Sequence, residues 1–399
     1  MTNAYICDAI RTPIGRYGGS LSSIRADDLG AIPIKALMQR NPQLDFSKVD
    51  DLYYGCANQA GEDNRNVGRM SGLLAGLPET VPAMTINRLC GSGMDAVGSA
   101  ARTIRSGEAG IIIAGGVESM SRAPFVMPKP NAAFSRKAEI YDTTMGWRFV
   151  NRAMKAQYGV DSMPETAENV AEEFGVNRQD QDTFALSSQQ KTEAAQNTGV
   201  FDDEITAVSV PRRKQDPLIF DRDEHPRAGS TLEGMARLPT PFRENGSVTA
   251  GNASGINDGS AGMVIMSADK AKELGLNPLA KIKAVGRGAC HPSVMGLSPV
   301  PAVNDLKEKS GLKTDDFELM EVNEAFAVQY IACEKELGLN REITNVNGSG
   351  IGLGHPVGAT GARIIVTLIH AMQKRGNSLG LATLCGGGGV AMACAIEMI

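Results

Sequence analysis

The chain is short of several things. It has four histidines, one tryptophan and no Cys-x-x-Cys pair, and aromatic residues make up 5%. With cysteines scattered at 7, 56, 90, 290, 333, 385 and 394, no zinc-ligand spacing arises. An odd number of dispersed cysteines also argues against a disulfide framework and for a reduced, cytoplasmic compartment. No run approaches the ~18 apolar residues of a membrane span, and no basic region ahead of an apolar stretch opens the chain. A net charge of −5 leaves no basic excess, so neither nucleic acid nor a membrane surface is an expected partner. Gly-x-x-x-x-Gly-Lys-Ser is missing, and no Gly-x-Gly-x-x-Gly follows the first strand. Nucleotide hydrolysis and nicotinamide chemistry therefore find no support.

Glycine is plentiful, 45 of 399 residues, and gathers in short runs that suit tight backbone turns near sites. The length exceeds what one core usually supports, so two domains or two fused halves are expected. Residues 5–10 read as a strand, 26–40 as a helix, 49–54 as a strand and 66–77 as a helix. The apolar run at 110–116 reads as a strand buried on both faces. Between about 121 and 249 prolines, charges and methionines become frequent. The one long periodic segment there, 166–197, opens on a capping-box pattern at Thr166. Strand and helix rhythm returns after 264, with strands at 319–322, 379–384 and 390–396. Such alternation specifies a mainly parallel sheet in an α/β fold. Lys48-Val49-Asp50-Asp51 answers Lys313-Thr314-Asp315-Asp316 at a shift of 265 residues, and that shift carries Cys90 onto His355.

Cys90 stands in Asn87-Arg88-Leu89-Cys90-Gly91-Ser92-Gly93, followed by apolar residues at helical spacing. A thiol at a helix mouth is placed where the dipole and basic neighbours lower its pKa. Taken alone, a lone cysteine is more often a buried, inert small hydrophobe. His355 lies among glycines in Gly352-Leu353-Gly354-His355-Pro356-Val357-Gly358, and a Cys–His pair is the usual way to generate a thiolate nucleophile. A structural histidine is the alternative. Cys385 ends an apolar run and precedes four glycines whose N–H groups can face a developing oxyanion. Asn323-Glu324-Ala325-Phe326 leaves a strand as a site loop, a turn or a helix cap. Gly251–Gly259 is a further small-residue stretch.

Together the motifs at 87–93, 323–326, 354–358 and 385–389 resemble the thiolase family across the whole chain. The resemblance implies a five-layered α-β-α-β-α fold built from two duplicated βαβαβαββ halves, with an inserted loop domain. Residues 1–121, completed by about 248–272, would form the first half, 122–247 the loop or lid domain, and 273–399 the second half. It implies coenzyme A thioesters as substrates, no permanently bound cofactor, no catalytic metal, and a homodimer or homotetramer. Cys90 would be the acylated nucleophile, His355 its base, and Cys385 the acid–base for the departing acetyl-CoA. His355 with a water held by Asn323 would form one oxyanion site, and the N–H groups of Cys90 and Gly387 the other. Arg227, Ala250 and Ser254 would lie along coenzyme A, with Met163, Met295, Ala325 and Phe326 lining the acyl or pantetheine channel. A surface charge and core filling are the plain alternatives for Arg227 and the methionines.

Residues 11–28, 55–66, 117–127, 142–150 and 161–171 are most similar to the 3-oxoadipyl-CoA branch of the family. A short-chain acetyl-CoA acetyltransferase or a general 3-ketoacyl-CoA thiolase is the alternative. Arg122, Arg136, Arg148 and Lys155 are candidates to meet a substrate carboxylate. Ser349, Gly352, Gly234, Val390-Ala391 and Cys290-His291 depart from common family patterns without removing a catalytic group.

Overall fold

The computed structural model describes residues 3–58 and 61–399. Gln59 and Ala60, within the stretch at 55–66 named above, lie outside them. The first half runs β1 (Ala4–Arg11), α1 (Ala26–Arg40), β2 (Asp51–Gly55), α2 (Val67–Ala75), β3 (Ala83–Ile86), α3 (Ser92–Ser106) and β4 (Ile111–Ser119). An intervening stretch carries α4 (Arg152–Tyr158), α5 (Met163–Phe174) and α6 (Arg178–Asn197) before β5 (Asn257–Ser267) closes that half. The second half follows with β6 (Ala280–Ala289), α7 (Pro299–Ser310), β7 (Leu319–Val322) and α8 (Ala327–Leu337). It ends with α9 (Val357–Arg375), β8 (Leu379–Gly386) and β9 (Val390–Met398).

The main strands lie in the order β7-β8-β9-β6-β1-β5-β4-β2-β3. In the first half β2 is parallel to β3 and β4, and β5 is antiparallel to β4 and β1. The second half repeats this, with β7 parallel to β8 and β9 antiparallel to β8 and β6. The sheet is therefore mixed and not mainly parallel as the alternation specifies, because the last strand of each half returns antiparallel and β1 meets both β5 and β6 antiparallel. A lone parallel bridge between Met320 and Thr344 takes the place of β3 there. Both halves also share one register shift, between Ile6 and Asp8 in one and Ile282 and Ala284 in the other. The half-sheets meet where Tyr5 pairs with Lys281 and Ile6 with Ala280.

Side chains alternate across each strand, and this sorts the layers. Ile112, Ala114, Met263 and Ile265 face inward with Ala382, Leu384, Cys394 and Ile396, enclosing α3 and α9 in one core. Ile111, Ile113, Val264 and Met266 face outward onto α1. Leu381, Ala393 and Ala395 face outward onto α7 and the start of α8. Helices, sheet, helices, sheet and helices therefore stack in five layers, as the resemblance implies.

The repeat is real, but its register is not the one that the short motif suggests. Asp50 N–H donates to Ile111 O as Glu318 N–H donates to Leu379 O, a shift of 268 residues. The same shift carries Gly93 and Met94 onto Gly361 and Ala362, and these two pairs touch each other reciprocally. Cys90 thus corresponds to Gly358, and His355 to Asn87. The catalytic candidates are neighbours across the pseudo-twofold, not symmetry mates. The acidic pair Asp50-Asp51 misleads because three residues separate its register from that of Asp315-Asp316.

α3 and α9 cross so closely that a Cβ on Gly361 would lie 2.4 Å from the Met94 backbone nitrogen. Gly361→Ala should lower stability by about 3 kcal/mol, because backbone must move to admit the methyl group. A thermal melting curve superimposable on wild type would contradict this packing.

The stretch between β4 and β5 is tied down by charge. Arg11, at the end of β1 and fully buried, contacts Glu204 at 2.6 Å and Asp223 at 2.7 Å. Burial of three ionised groups is tolerable only when each is paired as fully as here. One sequence expectation fails in this region. The periodic segment 166–197 is two helices broken at Gly175, which is left-handed with φ +64°. The capping box is Ser162 with Glu165, not Thr166.

Candidate active site

Cys90 lies between Leu89, held at φ +51°, and the first turn of α3 at Ser92. Its own N–H and the N–H of Gly387 are both aimed at its sulfur. Those donors lower the thiol pKa, yet burial outweighs them and pushes it up to about 11. The expectation of a lowered pKa is therefore corrected. Among the described residues no cation offsets the desolvation of the sulfur, and the carboxylate of Glu118 adds to the rise.

His355 occupies the turn ahead of α9 and is 5% exposed. Its Nδ1 is 2.6 Å from Thr360 Oγ1, which in turn lies 2.9 Å from the Pro356 carbonyl. A carbonyl only accepts, so the Thr360 hydroxyl proton goes to Pro356 and Oγ1 accepts from Nδ1–H. Asn323 Nδ2 also approaches Nδ1, at 3.4 Å, and the shorter contact decides the tautomer assigned here. Nε2 is left bare, buried and without a hydrogen-bond partner among the described residues. Burial first, and then the Arg363 guanidinium, pull the imidazole pKa down to about 3, so His355 is a neutral acceptor.

Cys385 ends β8, is 1% exposed, and sits beside Cys90 closely enough for a charge on one to oppose a charge on the other. Burial holds its thiol well above the usual range. Cys90, His355, Cys385 and Gly387 all line one cavity of about 570 Å3. Arg227, Ala250, Ser254, Met163, Met295, Ala325 and Phe326 line it too. Ser254 N–H donates to Ala325 O and Ala327 N–H to Asn252 O, which joins Gly251–Gly259 to the loop at 323–326. Asn323 is the exception among the sequence candidates. It sits behind His355 and not on the cavity wall, fully buried, with its Oδ1 3.4 Å from Arg363 Nη2.

The candidates for meeting a substrate carboxylate fare worse. None of Arg122, Arg136, Arg148 and Lys155 lines this cavity, and Arg122 is bound to both oxygens of Glu62 at 2.7 and 2.8 Å. Arg122, Arg136 and Lys155 are exposed and Arg148 is half-buried. Conversely, sequence reasoning passed over His225 and Asn257. Asn257 Oδ1 accepts from His355 N–H at 2.9 Å, and its Nδ2 lies 3.2 Å from His225 Nδ1. His225 Nε2 is 3.2 Å from the Ile351 carbonyl, so the ring is a neutral Nε2–H tautomer bridging the turn before His355. The available signal was a histidine two residues before Arg227 in a chain with only four.

The comparisons agree with this geometry. Residues 4–269 match the family described as "Thiolase, N-terminal domain" and 276–398 the "Thiolase, C-terminal domain". The "Beta-ketoadipyl-CoA thiolase" of Acinetobacter baylyi is 55% identical over 401 residues, covering 100% of both chains. The "3-oxoadipyl-CoA/3-oxo-5,6-dehydrosuberyl-CoA thiolase" of Escherichia coli is 53% identical, again over 100% of both. The crystal structure of the Bacillus anthracis acetyl-CoA acetyltransferase superposes with a TM-score of 0.93 at 43% identity, covering 100% of this chain and 99% of that one. With both domains matched, the fold shared and its four motifs gathered at one cavity, the chain belongs to the thiolase family.

Proposed function

We propose that the protein is an acyl-CoA:acetyl-CoA C-acyltransferase that cleaves 3-oxoadipyl-CoA with coenzyme A, giving succinyl-CoA and acetyl-CoA. The observation that carries the reaction is the bare Nε2 of His355 in the same cavity as Cys90, Cys385 and the Gly387 N–H. His355 Nε2 takes the Cys90 thiol proton as sulfur attacks the 3-keto carbon. The N–H groups of Cys90 and Gly387, or His355 with a water held by Asn323, receive the charge on oxygen. The bond between carbons 2 and 3 breaks, and the Cys385 thiol gives its proton to the acetyl-CoA carbanion. Coenzyme A, deprotonated by Cys385, then removes the acyl group from Cys90 in a second half-reaction.

Coenzyme A is a substrate in this reading, and no resident cofactor takes part. Arg227, Ala250 and Ser254 bind coenzyme A, while Met163, Met295, Ala325 and Phe326 enclose the acyl or pantetheine chain. Residues 122–247 cover the site as a lid between halves 1–121 and 273–399. Two catalytic thiols need a reducing surrounding, so the enzyme works in the cytoplasm. Phe125, Phe134 and Ile140 expose 74%, 99% and 69% of their surface, which supports a homodimer or homotetramer.

The 3-oxoadipyl assignment is supported by relatives of that activity at 55% and 53% identity, against 46% for an acetyl-CoA acetyltransferase. Steady-state thiolysis tests it. The kcat/KM for 3-oxoadipyl-CoA should exceed that for acetoacetyl-CoA by about tenfold or more. Equal values would remove the acyl assignment, and no acetyl-CoA from either ester would remove the reaction.

A further inference from the structure

The chemistry above leaves Glu118 without a task. It is 2% exposed near the end of β4, between the turns that carry Cys90 and His355. Its Oε2 accepts from the N–H groups of Gly358 and Ala57, each at 2.8 Å, and Oε1 accepts from Asn58 N–H at 3.1 Å. A Cβ on Gly358 would lie 2.4 Å from Oε2, so only glycine there lets the carboxylate reach the backbone. The connection continues on the other side. The Ala57 carbonyl accepts from Asn87 Nδ2 at 2.9 Å, and Asn87 Oδ1 accepts from Leu89 N–H at 2.9 Å. Leu89 holds the left-handed φ of +51°, which costs a leucine about 1 kcal/mol and persists only if neighbouring bonds impose it.

A single path thus runs from Gly358, three residues after His355, to Leu89, one residue before Cys90. It crosses from one half of the molecule to the other through one carboxylate and one amide. We propose that Glu118, together with Asn87, is a positioning residue that sets the separation between Cys90 and His355. Neither side chain lines the cavity. Both act through backbone, and the inference rests on the acyl-transfer reading of that cavity. A carboxylate that merely capped α9 would hold Gly358 without any link to Leu89, and its loss would cost stability rather than rate.

Glu118→Asp keeps the charge and withdraws the carboxylate by one methylene. It should lower kcat by about 100-fold with KM within threefold, as expected when a reacting pair is displaced by about 1 Å. Asn87 is exposed, so Asn87→Ala folds regardless, and it should lower kcat roughly tenfold in the same way. An independent reading is the rate at which iodoacetamide labels Cys90, followed by peptide mass spectrometry. That rate should fall roughly tenfold in both variants as His355 loses its approach to the thiol. Labelling at the wild-type rate in Asn87→Ala, or kcat within threefold of wild type in both variants, would overturn the proposal. Absence of thiolysis in the wild type would overturn the reaction instead, while the labelling rates would still decide the positioning.

Discussion

Cys90→Ala should reduce thiolysis by about 10⁴-fold or more while leaving the melting temperature within a few degrees of wild type. The covalent route needs an atom that attacks carbon and later leaves, and no other group of the cavity can substitute. Cys385 is the nearest thiol, but it is 1% exposed and burial keeps it protonated. The donors that would stabilise charge, the N–H groups of Cys90 and Gly387, are aimed at the Cys90 sulfur. Cys90→Ser should rescue little, since a hydroxyl is far more reluctant than a thiol to lose its proton. Intact-mass measurement after incubation with 3-oxoadipyl-CoA should show one acyl adduct on the wild type and none on Cys90→Ala. An adduct surviving on the variant would exchange the roles of the two cysteines.

His355→Ala should lower kcat by about 10³-fold, the scale of a lost general base. Its pH signature is equally specific. The base works in its neutral form, and burial together with Arg363 lowers its pKa to about 3. A lowered pKa means that acid must go well below the ordinary imidazole range before the base is protonated. The wild-type kcat/KM should therefore show no acidic break near 6.5, and a break there would contradict the neutral assignment. The resting pair is thiol and imidazole rather than thiolate and imidazolium. The raised Cys90 thiol and the lowered His355 imidazole both oppose proton transfer in the empty site, chiefly because burial disfavours either charge. Substrate that places a carbonyl against the waiting N–H groups would reduce the cost, because charge then moves on to oxygen.

The residues of the site were legible because chemistry restricts their types and places them beside glycine. Cys90 before two glycines, His355 within a glycine cradle and Cys385 ahead of four glycines stand out in any reading of the chain. Strand and helix order was legible from apolar periodicity, and Ala26–Arg40 and Leu319–Val322 occur as the pattern predicts. Four things were not legible. The repeat register depends on hydrogen bonds between distant strands, which a short motif does not report. The Cys90 pKa depends on desolvation, which only the packed cavity supplies. The direction of an arginine on an irregular segment depends on its partner, and Glu62 decides it for Arg122. His225 and Asn257 escaped because their part is to hold backbone, which leaves no mark of reactivity in sequence.

The seam between the half-sheets bears on how the chain reaches this state. β1 is made before both of its neighbours, β5, through pairs such as Ala4 with Ser267, and β6, through Tyr5 with Lys281. At about 5–20 residues per second of synthesis, the leading strand waits at least ten seconds for either neighbour. The first half therefore cannot close its sheet until β5 is made. β4 lacks its antiparallel partner β5 until the whole stretch between them has been made, and β5 in turn is what receives β1. Ile6, Ala9 and Ile10 stay uncovered during that interval, which is when this protein is most open to misassembly or to a chaperone.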